Sequence, residues 1–265
     1  MKKFWRIFKK VMIILGVLSG ATLFIVVLTS AIKHKQAEEC TALQIKIDYD
    51  SGLSFLDEAE IAQRVHYLSG GNIVGKTLST VDFKTLEREI EKNPYVDGAE
   101  VFADQSNKVV VTVVQKRPLL RVINNDGVSY YISEKNERIP TSTKFTSHVA
   151  IALGSVATHR DTKRDSAVQA ALYNLVQYVR QDEFLDAMID QIYVKENGEF
   201  ELMPKTGGHV IMFGNGTKDI EQKFNRLKTF YREGLNKIGW TKYKTINLQY
   251  EGQVVCEKGD TTNVL

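Results

Sequence analysis

The stretch NPYVDGAEVFADQSNKVVVTVVQ, residues 93–115, decides the fold. Val96 to Ala103 and Lys108 to Gln115 read as two strands, the second dense in valine. Asp104-Gln105-Ser106-Asn107 between them reads as a hairpin loop. Asn93-Pro94 closes whatever precedes, because a residue before proline is pushed out of the α region. Upstream, Phe83, Leu86 and Ile90 recur at helical spacing, in a helix predicted to begin near Ser79 with Asp82 three residues on. Before it, Ile61, Val65 and Leu68 form a second stripe. Asp57 and Glu60 stand at capping-box spacing ahead of it, and Gly70-Gly71 stops it. Leu43 to Tyr49 alternates, with Leu43, Ile45, Ile47 and Tyr49 on one side, as a half-buried strand does. The order is strand, helix, helix, strand, strand. Both helices are expected to cover one face of a three-stranded sheet.

Downstream, Leu119 to Ile123, Val128 to Ile132 and Val149 to Leu153 read as strands in a connecting stretch, residues 117–153, with a turn at Asn125-Asp126-Gly127. A helix from about Asp165 to Val179 carries Val168, Leu172, Leu175 and Val179. Ile192 to Lys195 and Glu199 to Met203 are predicted strands joined at Asn197-Gly198, and His209 to Phe213 is a third. Ile220, Phe224, Leu227, Tyr231, Leu235 and Ile238 define a long helix. Residues 246–256 alternate and read as one last strand. Ile246, Leu248, Tyr250, Val254 and Cys256 lie on one face; Asn247, Gln249, Glu251 and Gln253 lie on the other. Glu257 to Leu265 is a polar tail, expected to be mobile.

Charge separates the ends of the chain. The net charge is +3, but residues 1–35 hold seven basic residues and no acidic one. The basicity therefore sits beside Val11 to Ile32, an uncharged run of 22, and is not spread over a groove as nucleic-acid binding requires. About 20 apolar residues span a bilayer as a helix. The run is longer than the roughly 7–15 residues of a signal-peptide core, although Thr29-Ser30-Ala31 loosely resembles a cleavage site. An uncleaved anchor is predicted. Five Lys/Arg precede it and two follow, which places the N-terminus in the cytoplasm and the rest outside.

Chemistry is sparse. None of the histidines His34, His66, His148, His159 and His209 has a partner at ligand spacing, and there is no HExxH, Cys-x-x-Cys or Gly-x-Ser-x-Gly. Gly214-Asn215-Gly216-Thr217 precedes a helix but lacks Walker spacing; a turn and helix start is the better reading. Cys40 and Cys256 stand in no disulfide framework. No catalytic residue, cofactor, metal or small-molecule substrate is expected.

Asp82-Phe83…Leu86-Glu87…Ile90-Glu91…Asn93-Pro94-Tyr95-Val96…Ala99-Glu100-Val101 resembles the second helix and following strand of a POTRA domain. Val109 to Val114 and Gln115-Lys116-Arg117-Pro118 resemble its third strand and exit. Gly216 to Tyr231 and Ile246-Asn247-Leu248-Gln249-Tyr250…Gly252-Gln253-Val254-Val255 resemble the long helix and terminal strand of the bacterial cell-division family FtsQ/DivIB. That strand often reads Asp-Leu-Arg where this chain has Asn247-Leu248-Gln249, so no charged contact is carried over there. The resemblance implies an α+β chain with a single N-terminal transmembrane helix. A POTRA-type β-α-α-β-β domain follows, packed on a second α+β domain with a mainly antiparallel sheet. The segments are 1–10 in the cytoplasm, 11–32 in the membrane, 43–116 POTRA-like, 117–256 FtsQ-type and 257–265 tail. It further implies a non-catalytic divisome scaffold at the septum of the cytoplasmic membrane. Such a scaffold recruits FtsB-like and FtsL-like bitopic partners and helps control septal peptidoglycan synthesis through FtsW and FtsI. Partner binding would fall on Tyr250, Gly252, Gln253, Val254 and Val255. The rival implication is a POTRA-type chaperone for exported envelope proteins.

Overall fold

The computed structural model describes residues 16, 19–25, 38–49, 52–156 and 162–259. Most of the expected anchor, 11–32, lies outside them. Residues 16 and 19–25 are helical and exposed. Among the described residues no helix is long and apolar enough to cross a membrane. The chain forms two compact units: one takes Leu56–Val114 and the chain up to Asp48, the other takes Tyr49–Phe55 and Gln115–Leu265.

The first unit has the expected order. Strand β1 (Ala42–Asp48) is followed by helix α1 (Glu58–Leu68), helix α2 (Phe83–Glu91), β2 (Val96–Ala103) and β3 (Lys108–Gln115). The strand order is β1-β3-β2, with β1 parallel to β3. Asp57 caps α1, its carboxylate accepting the Glu60 N–H at 2.7 Å. The second helix starts later than the sequence suggested. Leu78–Thr80 is a separate 3₁₀ turn, and Asp82 is the cap, accepting the Thr85 N–H at 3.0 Å. A side-chain oxygen on an otherwise orphaned first-turn N–H fixes where a helix begins, and Asp82 offers one at the right distance. Ile61, Val65, Leu86 and Ile90 from the helices meet Val96, Val101, Val109, Val111 and Val113 in one core.

The second unit is a nine-stranded sheet in the order β12-β11-β10-β9-β8-β7-β4-β5-β6. Its strands are β4 (Pro118–Asn124), β5 (Ser129–Ser133), β6 (Arg138–Pro140), β7 (Ala150–Gly154), β8 (Ile189–Val194), β9 (Phe200–Pro204), β10 (Val210–Gly214), β11 (Tyr243–Asn247) and β12 (Val255–Lys258). Five neighbouring pairs are antiparallel; β4/β7, β7/β8 and β10/β11 are parallel. The stretch read as a connection is thus nearly half of the sheet. Helices α3 (Thr162–Arg180) and α4 (Glu183–Met188) join β7 to β8. Helix α5 (Ile220–Thr229), prolonged by a π-helical Phe230–Leu235 and a last turn Asn236–Ile238, joins β10 to β11. Parallel neighbours need such crossovers. Alternate strand residues, among them Val122, Ile192, Leu202, Ile211 and Ile246, pack with Leu172, Leu175, Phe224 and Leu227 of the helices. The residues between them, such as Arg121, Glu201 and Met212, are half-exposed, as on the less covered face of a sheet, whereas Tyr131 of β5 on that face is buried.

Phe55 is buried within this unit. Its ring stands edge-on to Tyr131 at 5.9 Å and to Phe145 at 4.9 Å. Its N–H donates to the Gln115 side-chain oxygen at 2.9 Å, while the Gln115 amide donates to the Leu53 carbonyl at 3.2 Å. A buried amide side chain thereby does for residues 53–55 what a neighbouring strand would do.

Candidate functional site

The expected single strand over residues 246–256 is two strands. β11 ends at Asn247, the chain turns at Tyr250-Glu251-Gly252-Gln253, and β12 returns antiparallel to β11. Asn247 helps stop β11: its side-chain oxygen accepts the Gln249 N–H at 2.9 Å, an Asx turn. Arg226 of α5 donates to the Leu248 carbonyl at 3.0 Å. Gly252 has φ of +68°, a conformation that favours glycine, and the Gln253 N–H closes the turn on the Tyr250 carbonyl at 3.4 Å. Alternation continued through the turn by coincidence of composition, so the pattern alone concealed it.

The candidate residues divide accordingly. Tyr250 is 56% exposed and stands outside the core that Ile246 and Leu248 enter. Gly252 and Gln253 are exposed turn residues. Val254 packs against the core from a half-buried position, and Val255 opens β12 with its side chain exposed. The strand runs on through Glu257 to Lys258, two residues into the stretch read as tail. Residues 260–265 lie outside those described.

β12 is the last strand of the sheet and has β11 on one side. Main-chain groups alternate direction along a strand. The Gly259 N–H donates to the Lys242 carbonyl at 3.2 Å, so Glu257 and Val255 also face β11. The N–H and C=O of Cys256 and Lys258 therefore face away from it. Those two residues, which the sequence did not single out, carry the outward hydrogen-bonding groups of the edge. The signal that could have found them was Glu251-Gly252, a turn in the middle of the alternating run. Around them Val255, Glu257 and Lys258 are exposed, and Glu257 accepts from the Thr245 hydroxyl at 3.2 Å. Both cysteines are free, and burial pushes the Cys256 thiol pKa up.

Other features carry less. Lys223 is buried and donates to the carbonyls of Phe213 at 3.0 Å and Asn215 at 3.1 Å. The Gly214-Asn215-Gly216-Thr217 loop thus presents carbonyls to a cation, the reverse of a phosphate cradle. A cavity of about 350 Å³ lies among Asp182, Phe184, Lys228, Tyr231, Arg232 and Trp240. Asp182 accepts from Lys228 at 2.6 Å, which holds its carboxyl below the usual range, and Trp240 donates to Asn236 at 3.1 Å. Beneath it His209 is hydrogen-bonded to the Tyr231 hydroxyl; burial lowers the histidine pKa and raises that of the tyrosine. Among the described residues no three His, Cys, Asp or Glu side chains cluster as metal ligands.

Comparison with known proteins matches this layout. Residues 38–114 match the model of the POTRA-like domain, and residues 117–257 match that of the FtsQ/DivIB, C-terminal related family. Cell division protein FtsQ of Geobacter sp. (strain M21) is 24% identical over 195 residues, which cover 69% of this chain and 66% of that protein. The chain therefore spans about two thirds of that relative's length. With more than half of its length matched by one family model, and a POTRA-like unit in front, the chain belongs to the FtsQ/DivIB-related family.

Proposed function

We propose that this chain is a non-catalytic, membrane-anchored scaffold of the bacterial divisome that captures an FtsB-like bitopic partner by strand addition at β12. The observation that carries the reading is the edge position of β12, with the N–H and C=O of Cys256 and Lys258 turned away from β11. A partner strand satisfies such a row with main-chain hydrogen bonds, and exposed side chains beside it select the partner. Tyr250 and Val255 are exposed next to this edge and supply apolar contact. FtsL-like proteins would join through the captured partner, and the assembly would act on septal peptidoglycan synthesis by FtsW and FtsI. Family membership supports the division role.

In this reading, residues 11–32 anchor the chain in the cytoplasmic membrane, with everything after them outside. A reporter fused after Leu265 should be active only when it needs an extracytoplasmic location. Activity of a cytoplasm-only reporter there would reverse the orientation. Depletion of the protein tests the role itself. Filamenting, unseparated cells are expected. Normal septation with failed assembly of envelope proteins would favour the chaperone reading instead.

A further inference from the structure

Strand β2 lies at the outer edge of the first unit's sheet and is eight residues long. A long edge strand is a template for pairing with another chain. The Asp104 N–H donates to the Lys108 carbonyl at 2.9 Å, so Asp104 faces β3, as do the alternate residues Phe102, Glu100 and Gly98. The N–H groups of Val101 and Ala99 therefore point out of the sheet. Both are occupied. Glu87 Oε1 accepts the Val101 N–H at 2.8 Å, and Glu91 Oε1 accepts the Ala99 N–H at 3.4 Å.

The spacing explains how one helix serves both. Glu87 and Glu91 are four residues apart on α2, about 6 Å along a helix. Val101 and Ala99 are two residues apart on β2, about 6.6 Å along a strand. A helix lying antiparallel beside the edge brings carboxylates to successive outward N–H groups. Each bond is charge-assisted, and each carboxylate repels the carbonyl oxygens that an incoming strand would bring to the same place.

We propose that Glu87 and Glu91 close the β2 edge against strand addition, and that without them two copies of this chain pair through β2. The inference does not rest on the partner-binding reading of β12, since any chain with this sheet would carry the same edge.

The test uses the full chain in detergent micelles, with amide hydrogen exchange and sedimentation velocity. In Glu87→Ala/Glu91→Ala, exchange at Val101 and Ala99 should rise about tenfold or more in dilute solution, while amides facing β3 keep their protection. At higher concentration a species one association step larger than wild type should appear. Glu87→Gln/Glu91→Gln keeps an accepting oxygen at each position and should sediment like wild type. If the double alanine variant lost its fold, Glu91→Ala alone would still serve, because Glu91 is exposed. Ala99 exchange must then rise and Val101 exchange must not. Unchanged exchange at both amides, or faster exchange without any larger species at high concentration, overturns the proposal.

Discussion

Leu86→Asp is expected to unfold the POTRA-like unit while the second unit keeps its own transition. Leu86 is 4% exposed and packs with Ile61, Val65 and Ile90 of the helices and with the valines of β2 and β3. Truncating a buried leucine costs about 2–5 kcal/mol through lost burial and the cavity left behind. An aspartate adds a carboxylate among apolar side chains, where an unpaired charge is costlier still. A unit of this size has a net stability of only about 5 kcal/mol to spend. Differential scanning calorimetry or amide exchange should show protection lost across β1, β2 and β3 and retained from β4 onward. Ile90→Asp should behave alike, since Ile90 is 1% exposed. Lys92→Ala, on the exposed end of α2 where its amine meets Glu89, should leave the fold intact. Normal melting of Leu86→Asp would show that α2 does not bury this face.

The second large effect is expected from Lys258→Pro, with Val255→Pro as its contrast. Proline removes an N–H and is tolerated on an edge strand only where that N–H faces outward. At Lys258 the N–H faces away from β11, so the isolated protein should melt close to wild type. An incoming strand would lose one main-chain hydrogen bond and meet the pyrrolidine ring. Capture of the proposed FtsB-like partner should weaken about tenfold or more, each tenfold being ~1.4 kcal/mol. At Val255 the N–H faces β11, so proline there should open the β11–β12 hairpin and lower both thermal stability and binding. Tyr250→Ala, at an exposed turn position, should reduce binding without moving the melting temperature. If Lys258→Pro bound the partner at full affinity while Val255→Pro did not, the pairing edge would lie elsewhere.

Local signals are legible where a single residue type enforces them. Asp57 caps α1 because a carboxylate can reach a first-turn N–H, and that is visible in one dimension. The valine-rich hairpin of residues 96–115 appeared with the bounds its pattern gave. The short elements escaped: β6 has three residues and α4 has six, too few to show a period. Helix α4 nonetheless had a legible start, since Asp182 accepts the Leu185 N–H three residues on. The order of strands in the nine-stranded sheet was not legible, because β4 beside β7 and β10 beside β11 are long-range pairings that local alternation does not encode. The candidate edge was half legible. The alternating run leads to residues 246–256, but which main-chain groups face outward depends on the turn at Gly252 and on the Gly259–Lys242 hydrogen bond.

Residues 49–55 give the chain an order of assembly. Synthesis delivers the N-terminal part first, and such parts generally fold first as units. The first unit is complete once Val114 has emerged, yet Tyr49–Phe55 belongs to the second. The ring contacts of Phe55 with Tyr131 and Phe145 can form only after those two residues are made. The same arrangement defeats a simple dissection. A cut just before Gln115 would release a C-terminal fragment with the Gln115 amide and the two aromatic rings uncovered. It would leave Leu53 and Phe55 on the other fragment, away from the rings and the amide that hold them. A cut at the join between the two matched families therefore takes from the larger piece a segment that belongs to it.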